Sequence, residues 1–171
     1  MTIALRHFQA GALPDDHRQT LIAVHSDAYQ DQADDPFVQR FPWFAQHWTN
    51  LPGYSCVMAF DGAEPIGFSY GAPTEPGREW WRQHLVPEPA ETSTFAVSEV
   101  MVRPAWRKQG IAEQTHEALL TNRPEALAVL YVDVTHPRVQ ALYEQWKYEK
   151  VGEHRPFEDA PLYAVMVRSL R

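Results

Sequence analysis

Arg107-Lys108-Gln109-Gly110-Ile111-Ala112 sets two cations, a glycine and a small residue where a strand-like stretch gives way to a helix-like one. The apolar residues before it, Val97, Val100, Met101 and Val102, stop at Pro104, and Gly110–Leu120 reads as a helix. Such a junction suits an anion. The first turn of a helix leaves several N–H groups without partners, and the macrodipole adds roughly half a positive charge there. Gly110 removes a Cβ where a phosphate would approach the backbone, and Ala112 keeps the following position small. Arg107 and Lys108 read as mobile positive charge beside it. The chemistry on offer is a diphosphate cradle.

The run lacks the Gly-Lys-Ser/Thr ending of a P-loop and the three-glycine spacing of a dinucleotide fold. It resembles the Arg/Gln-x-x-Gly-x-Gly/Ala signature of the GNAT N-acetyltransferases, with Arg107, Gly110 and Ala112 at the defining positions. In that family the loop holds the pyrophosphate of acetyl-coenzyme A.

A second segment supports the resemblance. Val132-Asp133-Val134-Thr135-His136 closes a strand-like run that begins near Ala126, and Pro137 fits the start of a helix. Val139, Leu142, Tyr143 and Trp146 then fall at i, i+3, i+4 and i+7, the stripe of an amphipathic helix. This is similar to the family's later motif, in which an Asn closes a strand and a helix carrying Ala-Leu-Tyr ends in Gly-Phe. Ala141-Leu142-Tyr143 and the aromatic Tyr148 match it. His136 stands where Asn is usual and Lys147 where Gly is usual.

The resemblance implies an acetyl-coenzyme A-dependent transfer to a primary amine. Pantetheine would meet the main chain of Val100, Met101 and Val102, and an N–H near Met101 or Val102 would stabilise an oxyanion. The diphosphate would sit on Arg107, Lys108, Gln109, Gly110, Ile111 and Ala112. Tyr143 matches the tyrosine that hydrogen-bonds the departing sulfur, and Glu99 lies where several members carry a base. Others place a glutamate five residues before the Asn, a position held here by Tyr131. His136 would hydrogen-bond pantetheine or a water chain. The departures at His136 and Lys147 leave open a non-catalytic acyl-coenzyme A sensor, or an acyl donor other than acetyl. Many relatives dimerise, so a homodimer is also allowed.

The elements that must position these residues follow the same order. A strand near Ile3–Phe8 precedes a helix opening at Pro14-Asp15-Asp16 and a second helical stretch from Asp34-Asp35-Pro36, which Pro42 restarts. Tyr54–Phe60 and Pro65–Tyr70 read as a hairpin across Asp61-Gly62-Ala63-Glu64. Gly71–Thr92 reads as an irregular insertion containing Trp80-Trp81, with a short helix near Arg78–Leu85. Strands over Thr94–Val102, Ala126–Val134, Glu149–His154 and Leu162–Val167 complete the list. The expectation is one α+β domain over residues 1–171, a mixed, mostly antiparallel sheet flanked by helices, with splayed central strands.

Composition narrows the partners. The 171 residues suffice for one domain with a core, and Cys56, the only cysteine, excludes internal disulfides. No apolar run reaches about 20 residues and the N-terminus lacks a signal core, so a cytoplasmic protein without a membrane partner is expected. The net charge is −7, with thirteen acidic and five basic side chains in residues 1–100 against nine and ten in 101–171. Nucleic acid does not suit that balance. A phosphate on the second half and a cationic amine on the first do. The acceptor pocket is expected from residues 17–48, where Phe37, Phe41, Phe44 and Trp48 form a core stripe, and from one of Trp80 and Trp81. Asp31, Asp34 and Asp35 are placed to attract an amine. The histidines His7, His17, His25, His47, His84, His116 and His154 show no metal-ligand spacing.

Overall fold

The computed structural model describes residues 2–171, with strands β1 (Ile3–Gln9), β2 (Ser55–Asp61), β3 (Glu64–Pro73), β4 (Thr94–Val102), β5 (Leu127–Asp133), β6 (Glu149–His154) and β7 (Tyr163–Ser169). The helices are α1 (His17–Ala28), α2 (Pro36–Gln39), α3 (Phe41–Thr49), α4 (Ile111–Leu120) and α5 (Pro137–Gln145). The strands form one sheet in the order β1-β2-β3-β4-β5-β7-β6. Its β1–β2, β2–β3, β5–β7 and β6–β7 pairs are antiparallel and its β4–β5 pair is parallel. This is the expected α+β class. The β4–β5 register comprises only Thr94↔Leu127, Phe95↔Ala128 and Ala96↔Val129.

The chain divides into two compact units. The first holds the chain up to Ala72 together with Glu99–Thr121. Its core joins Leu21 and Val24 of α1 and Phe41 and Ala45 of α3 to Cys56, Met58, Phe68 and Tyr70 of the β2–β3 hairpin. Gly62, at φ 61°, makes the hairpin turn where the sequence placed it. Asp35 caps α2 by accepting the Phe37 N–H at 2.8 Å, and Pro42 lies in the first turn of the restarted α3. The expected stripe is half right. Phe41 is buried, but Ala45 and Thr49 share its face, while Phe37, Phe44 and Trp48 are only half-buried. Along α3 the buried face follows i, i+4 and i+8 from Phe41, so Phe44 and Trp48, at i+3 and i+7, fall on its flank.

The second unit holds Pro73–Ser98 and Asn122–Arg171. Phe95, Ala128, Leu130, Val132, Ala164, Val165 and Met166 are buried along its strands, and the consecutive Ala164, Val165 and Met166 are buried on both faces of β7. The helix expected near Arg78–Leu85 is absent; Trp80–His84 is a run of turns. Its backbone bonds are those of isolated turns, the Arg82 N–H to the Glu79 carbonyl at 3.1 Å and the His84 and Leu85 N–H groups to the Trp81 carbonyl at 2.8 and 2.9 Å. The Glu79 carboxylate adds the Arg82 Nε–H at 2.7 Å and the Gly77 N–H at 3.3 Å. Among the described residues no helix is long and apolar enough to cross a membrane.

Candidate active site

Arg103 fixes where the cradle begins. Its N–H donates to the Ile66 carbonyl at 2.7 Å, its Nε to the Pro65 carbonyl at 2.7 Å, and its Nη1 meets Asp27 at 3.3 Å. Gly67 lets β3 come this close to the end of β4, because a Cβ there would lie 2.7 Å from the Met101 carbonyl oxygen. The far side is fixed by α4. Ile111 packs on Ala59, Ile66 and Val102, and the Thr115 and Ser69 hydroxyls share a buried hydrogen bond of 2.8 Å.

Between these anchors the chain turns through two left-handed residues, Lys108 at φ 63° and Gly110 at φ 77°. Helix α4 has Gly110 as its N-cap and no side-chain cap. The Gln114 N–H reaches back to the Gly110 carbonyl at 3.0 Å, while the amides of Ile111, Ala112 and Glu113 precede the first such bond. A Cβ on Gly110 would meet nothing nearer than Gln114 Nε2 at 3.7 Å, so the space over this backbone is open. Amides left without helical partners at the start of a ten-residue helix, with open space over Gly110, fit a diphosphate. Glu113, in the first turn, is the one carboxylate that opposes it.

One expectation about the cradle changes. Arg107 is not mobile charge: its Nε donates to the Val102 carbonyl at 3.1 Å and its Nη2 to the Ala28 carbonyl at 2.9 Å. Its guanidinium ties the loop to β4 and α1. Arg107, Lys108 and Gln109 are all exposed, but of the three Arg107 is the one whose guanidinium is tied back to the fold.

Glu99 sits on β4 in the same unit, with Val100 half-buried and Met101 and Val102 buried. Part of the Glu99 surface remains accessible, yet the protein around its carboxyl withdraws it from water and pushes its pKa up to about 8. Cys56 is fully buried, and burial pushes its thiol up to about 12, so it offers no nucleophile.

His136 and Tyr143 belong to the second unit, at the start of α5 and within it. His136 is exposed, and its Nε2 lies 3.6 Å from Asp133, whose other carboxylate oxygen accepts the Thr135 N–H and hydroxyl. Tyr143 is buried edge-on against Trp146 and Tyr148, with ring centroids 5.1 and 5.8 Å away. The rest of the expected α5 stripe does not close over. Val139 is 42% exposed and Leu142 38%.

Lys147 explains its own departure from glycine. Its N–H donates to Glu144 and the Tyr148 N–H to Tyr143, the two bonds of a Schellman cap that needs a left-handed residue between them. Lys147 takes φ 74° and accepts the strain. Lys147→Gly is therefore expected to stabilise the fold by about 1 kcal/mol, raising Tm by about 2–4 °C in a thermal melt.

Among the described residues no group of His, Cys, Asp and Glu is arranged to hold a metal ion. The sequence reading missed a feature of the second unit, a cavity of about 280 Å³ lined in part by Trp80, His84, Tyr131 and His154. The signal lay in Trp80-Trp81 and in the aromatic Tyr131, but no sequence spacing links residues 80, 84, 131 and 154.

A model of the acetyltransferase (GNAT) family matches residues 18–148. No curated protein matches the sequence. Solved structures with the same fold include Arabidopsis thaliana NAA60 in complex with a bisubstrate analogue, 16% identical with a TM-score of 0.71, over 99% of this chain and 100% of that one. The paia N-acetyltransferase of Thermoplasma acidophilum in complex with coenzyme A is 13% identical with a TM-score of 0.68, over 99% of both chains. The ribosomal-protein-S18-alanine N-acetyltransferase of Escherichia coli is 15% identical with a TM-score of 0.65, over 98% of this chain and 94% of that one.

Proposed function

The chain belongs to the acetyltransferase (GNAT) family, and from that premise we propose that it is an N-acetyltransferase acting on a primary amine by direct attack in a ternary complex. The observation that carries the reading is the uncapped start of α4 behind two left-handed residues, open above Gly110. When bound, acetyl-coenzyme A supplies the activated acetyl thioester. The reading takes residues 1–171 as one catalytic domain in a cytoplasmic protein.

The roles divide by chemistry. The amides from Lys108 to Ala112 bind diphosphate, with Lys108 and Gln109 adding side-chain contacts and Arg107 holding the loop in shape. The main chain of Val100, Met101 and Val102 and the His136 ring align the pantetheine arm. Glu99 accepts the amine proton. A carboxyl raised to about 8 is a far stronger base than an ordinary carboxylate once ionised, so turnover draws on it more as pH rises through 8. The Tyr143 hydroxyl donates to the departing thiolate.

Thiol release from acetyl-coenzyme A across a panel of primary amines tests this. Multiple turnovers with at least one amine are expected. Tight cofactor binding with no turnover on any amine or peptide would replace the enzyme with an acyl-coenzyme A sensor.

A further inference from the structure

The loop between β4 and α4 sets two arginines against the end of one helix. Arg103 Nη1 meets Asp27 at 3.3 Å, and Arg107 Nη2 donates to the Ala28 carbonyl at 2.9 Å. Asp27 and Ala28 are the last two residues of α1. The final carbonyls of a helix lack intrahelical donors and carry its negative pole, so a guanidinium is a fitting partner there. Arg107 also uses its Nε, which donates to the Val102 carbonyl at 3.1 Å. One planar fork thus spans two backbone acceptors, at the end of β4 and at the end of α1.

The two sides of this fork lead to different segments of the first unit. Arg107 directly precedes Lys108, whose φ of 63° is a left-handed conformation that a non-glycine residue keeps only where its surroundings hold it. That turn, with Gly110, sets the amides of Ile111, Ala112 and Glu113 that precede the first helical bond of α4. On the other side Ala28 directly precedes Tyr29–Asp35. This stretch is held by turn bonds: the Tyr29 N–H donates to the His25 carbonyl at 2.9 Å, the Gln32 N–H to Tyr29 at 2.9 Å and the Asp35 N–H to Gln32 at 3.0 Å. Residues 30–35 are all exposed. A segment with exposed backbone bonds and little burial opens readily.

We propose that Arg107 is a positioning residue that links the cradle to the end of α1, acting through the Val102 and Ala28 carbonyls rather than on the diphosphate. A diphosphate on the α4 amides selects the loop conformation in which the fork is closed. The closed fork anchors the carbonyl from which Tyr29–Asp35 departs. Occupancy of the cradle and order in that segment are then one linked equilibrium, and such linkage is reciprocal. Lysine does not replace the fork, because its single ammonium lacks two donors fixed in one plane. The inference rests on the coenzyme A reading of the cradle, but its readout lies in another segment and needs no turnover.

Amide hydrogen exchange with and without saturating coenzyme A is the test, run on the native chain, Arg107→Ala and Arg107→Lys. Calorimetry sets the saturating concentration for each, and circular dichroism verifies folding. In the native chain coenzyme A is expected to slow exchange at Gln32 and Asp35 by at least about fivefold. Both variants should bind coenzyme A more weakly by a similar factor and, once saturated, show no slowing at those two amides. Each variant is compared with its own cofactor-free form, so a general loosening of the loop cancels and only a broken link removes the difference. The proposal is overturned if native exchange at Gln32 and Asp35 ignores coenzyme A, or if either saturated variant keeps the native slowing. Native affinity in Arg107→Lys, or total loss of binding in both variants, would place Arg107 on the phosphates and overturn it too. All of those results leave coenzyme A binding by the native chain intact, whereas its absence there would overturn the cradle reading itself and this inference with it.

Discussion

Tyr143→Phe is expected to lower turnover by roughly 10²–10⁴ while leaving cofactor affinity within about twofold. The ring is buried edge-on between Trp146 and Tyr148, so phenylalanine keeps the packing and only the hydroxyl is lost. The direction of proton flow limits what that hydroxyl does. A thiol with pKa ~8.5 is a stronger acid than a phenol with pKa ~10, so complete transfer from tyrosine is uphill by about 2 kcal/mol. Tyr143 is better suited to stabilise the thiolate by donation than to protonate it outright. Full turnover by the variant on a verified amine would remove Tyr143 from the reaction.

Stability is expected to peak near pH 6.5, because three buried groups pull in opposite directions. Burial lowers His17 to about 4, with Asp16 and Arg18 adding smaller opposed effects. Burial alone lowers His25 to about 4, where it stacks on Phe41 at 3.9 Å. Both are neutral when folded and titrate near 6.5 when unfolded. The unfolded chain therefore binds two more protons between about pH 4 and 6.5, and stability falls as pH falls through that window. Glu99 has the opposite sign. Its folded pKa of about 8 exceeds the ordinary carboxylate value, so the stability it contributes is complete in acid and is lost as pH rises from about 4.5 to 8. Below 6.5 the two histidines outweigh the one carboxyl, with a net slope of about 1.4 kcal/mol per pH unit; above 6.5 Glu99 acts alone. Denaturant unfolding from pH 4.5 to 8.5 should trace that dome. Glu99→Gln should flatten its alkaline side and, in turnover, remove the rise through pH 8. A variant that keeps the alkaline fall would mean that another group causes it.

Local signals carried far in this chain. Pro104, Gly110, Pro137 and the Asp61–Glu64 turn each mark an element boundary through backbone chemistry that acts within a few residues, and each boundary stands within a residue or two of its expected place. Two failures were local: the buried face of α3 follows i+4 steps from Phe41 rather than the Phe44 and Trp48 flank, and Arg78–Leu85, helical in composition, stops at turns. Two depended on distance. Arg107 reads as free charge in sequence, and only the fold brings the Ala28 carbonyl to its guanidinium. The cavity at Trp80, His84, Tyr131 and His154 was invisible because a register shift in β6 and a glycine 68 residues from His84 make its room. Lys147 is the instructive case. Its residue type departs from the pattern while its backbone keeps to it.

The most direct test of the central claim is a calorimetric titration of acetyl-coenzyme A into the native chain and into Gly110→Trp, with circular dichroism to verify that the variant is folded. The native chain should bind with a dissociation constant between about 1 μM and 1 mM, and Gly110→Trp should lose that binding because its side chain fills the open space above α4. No heat at millimolar cofactor, or equal binding by a folded Gly110→Trp, would show that the cradle is only the start of a helix.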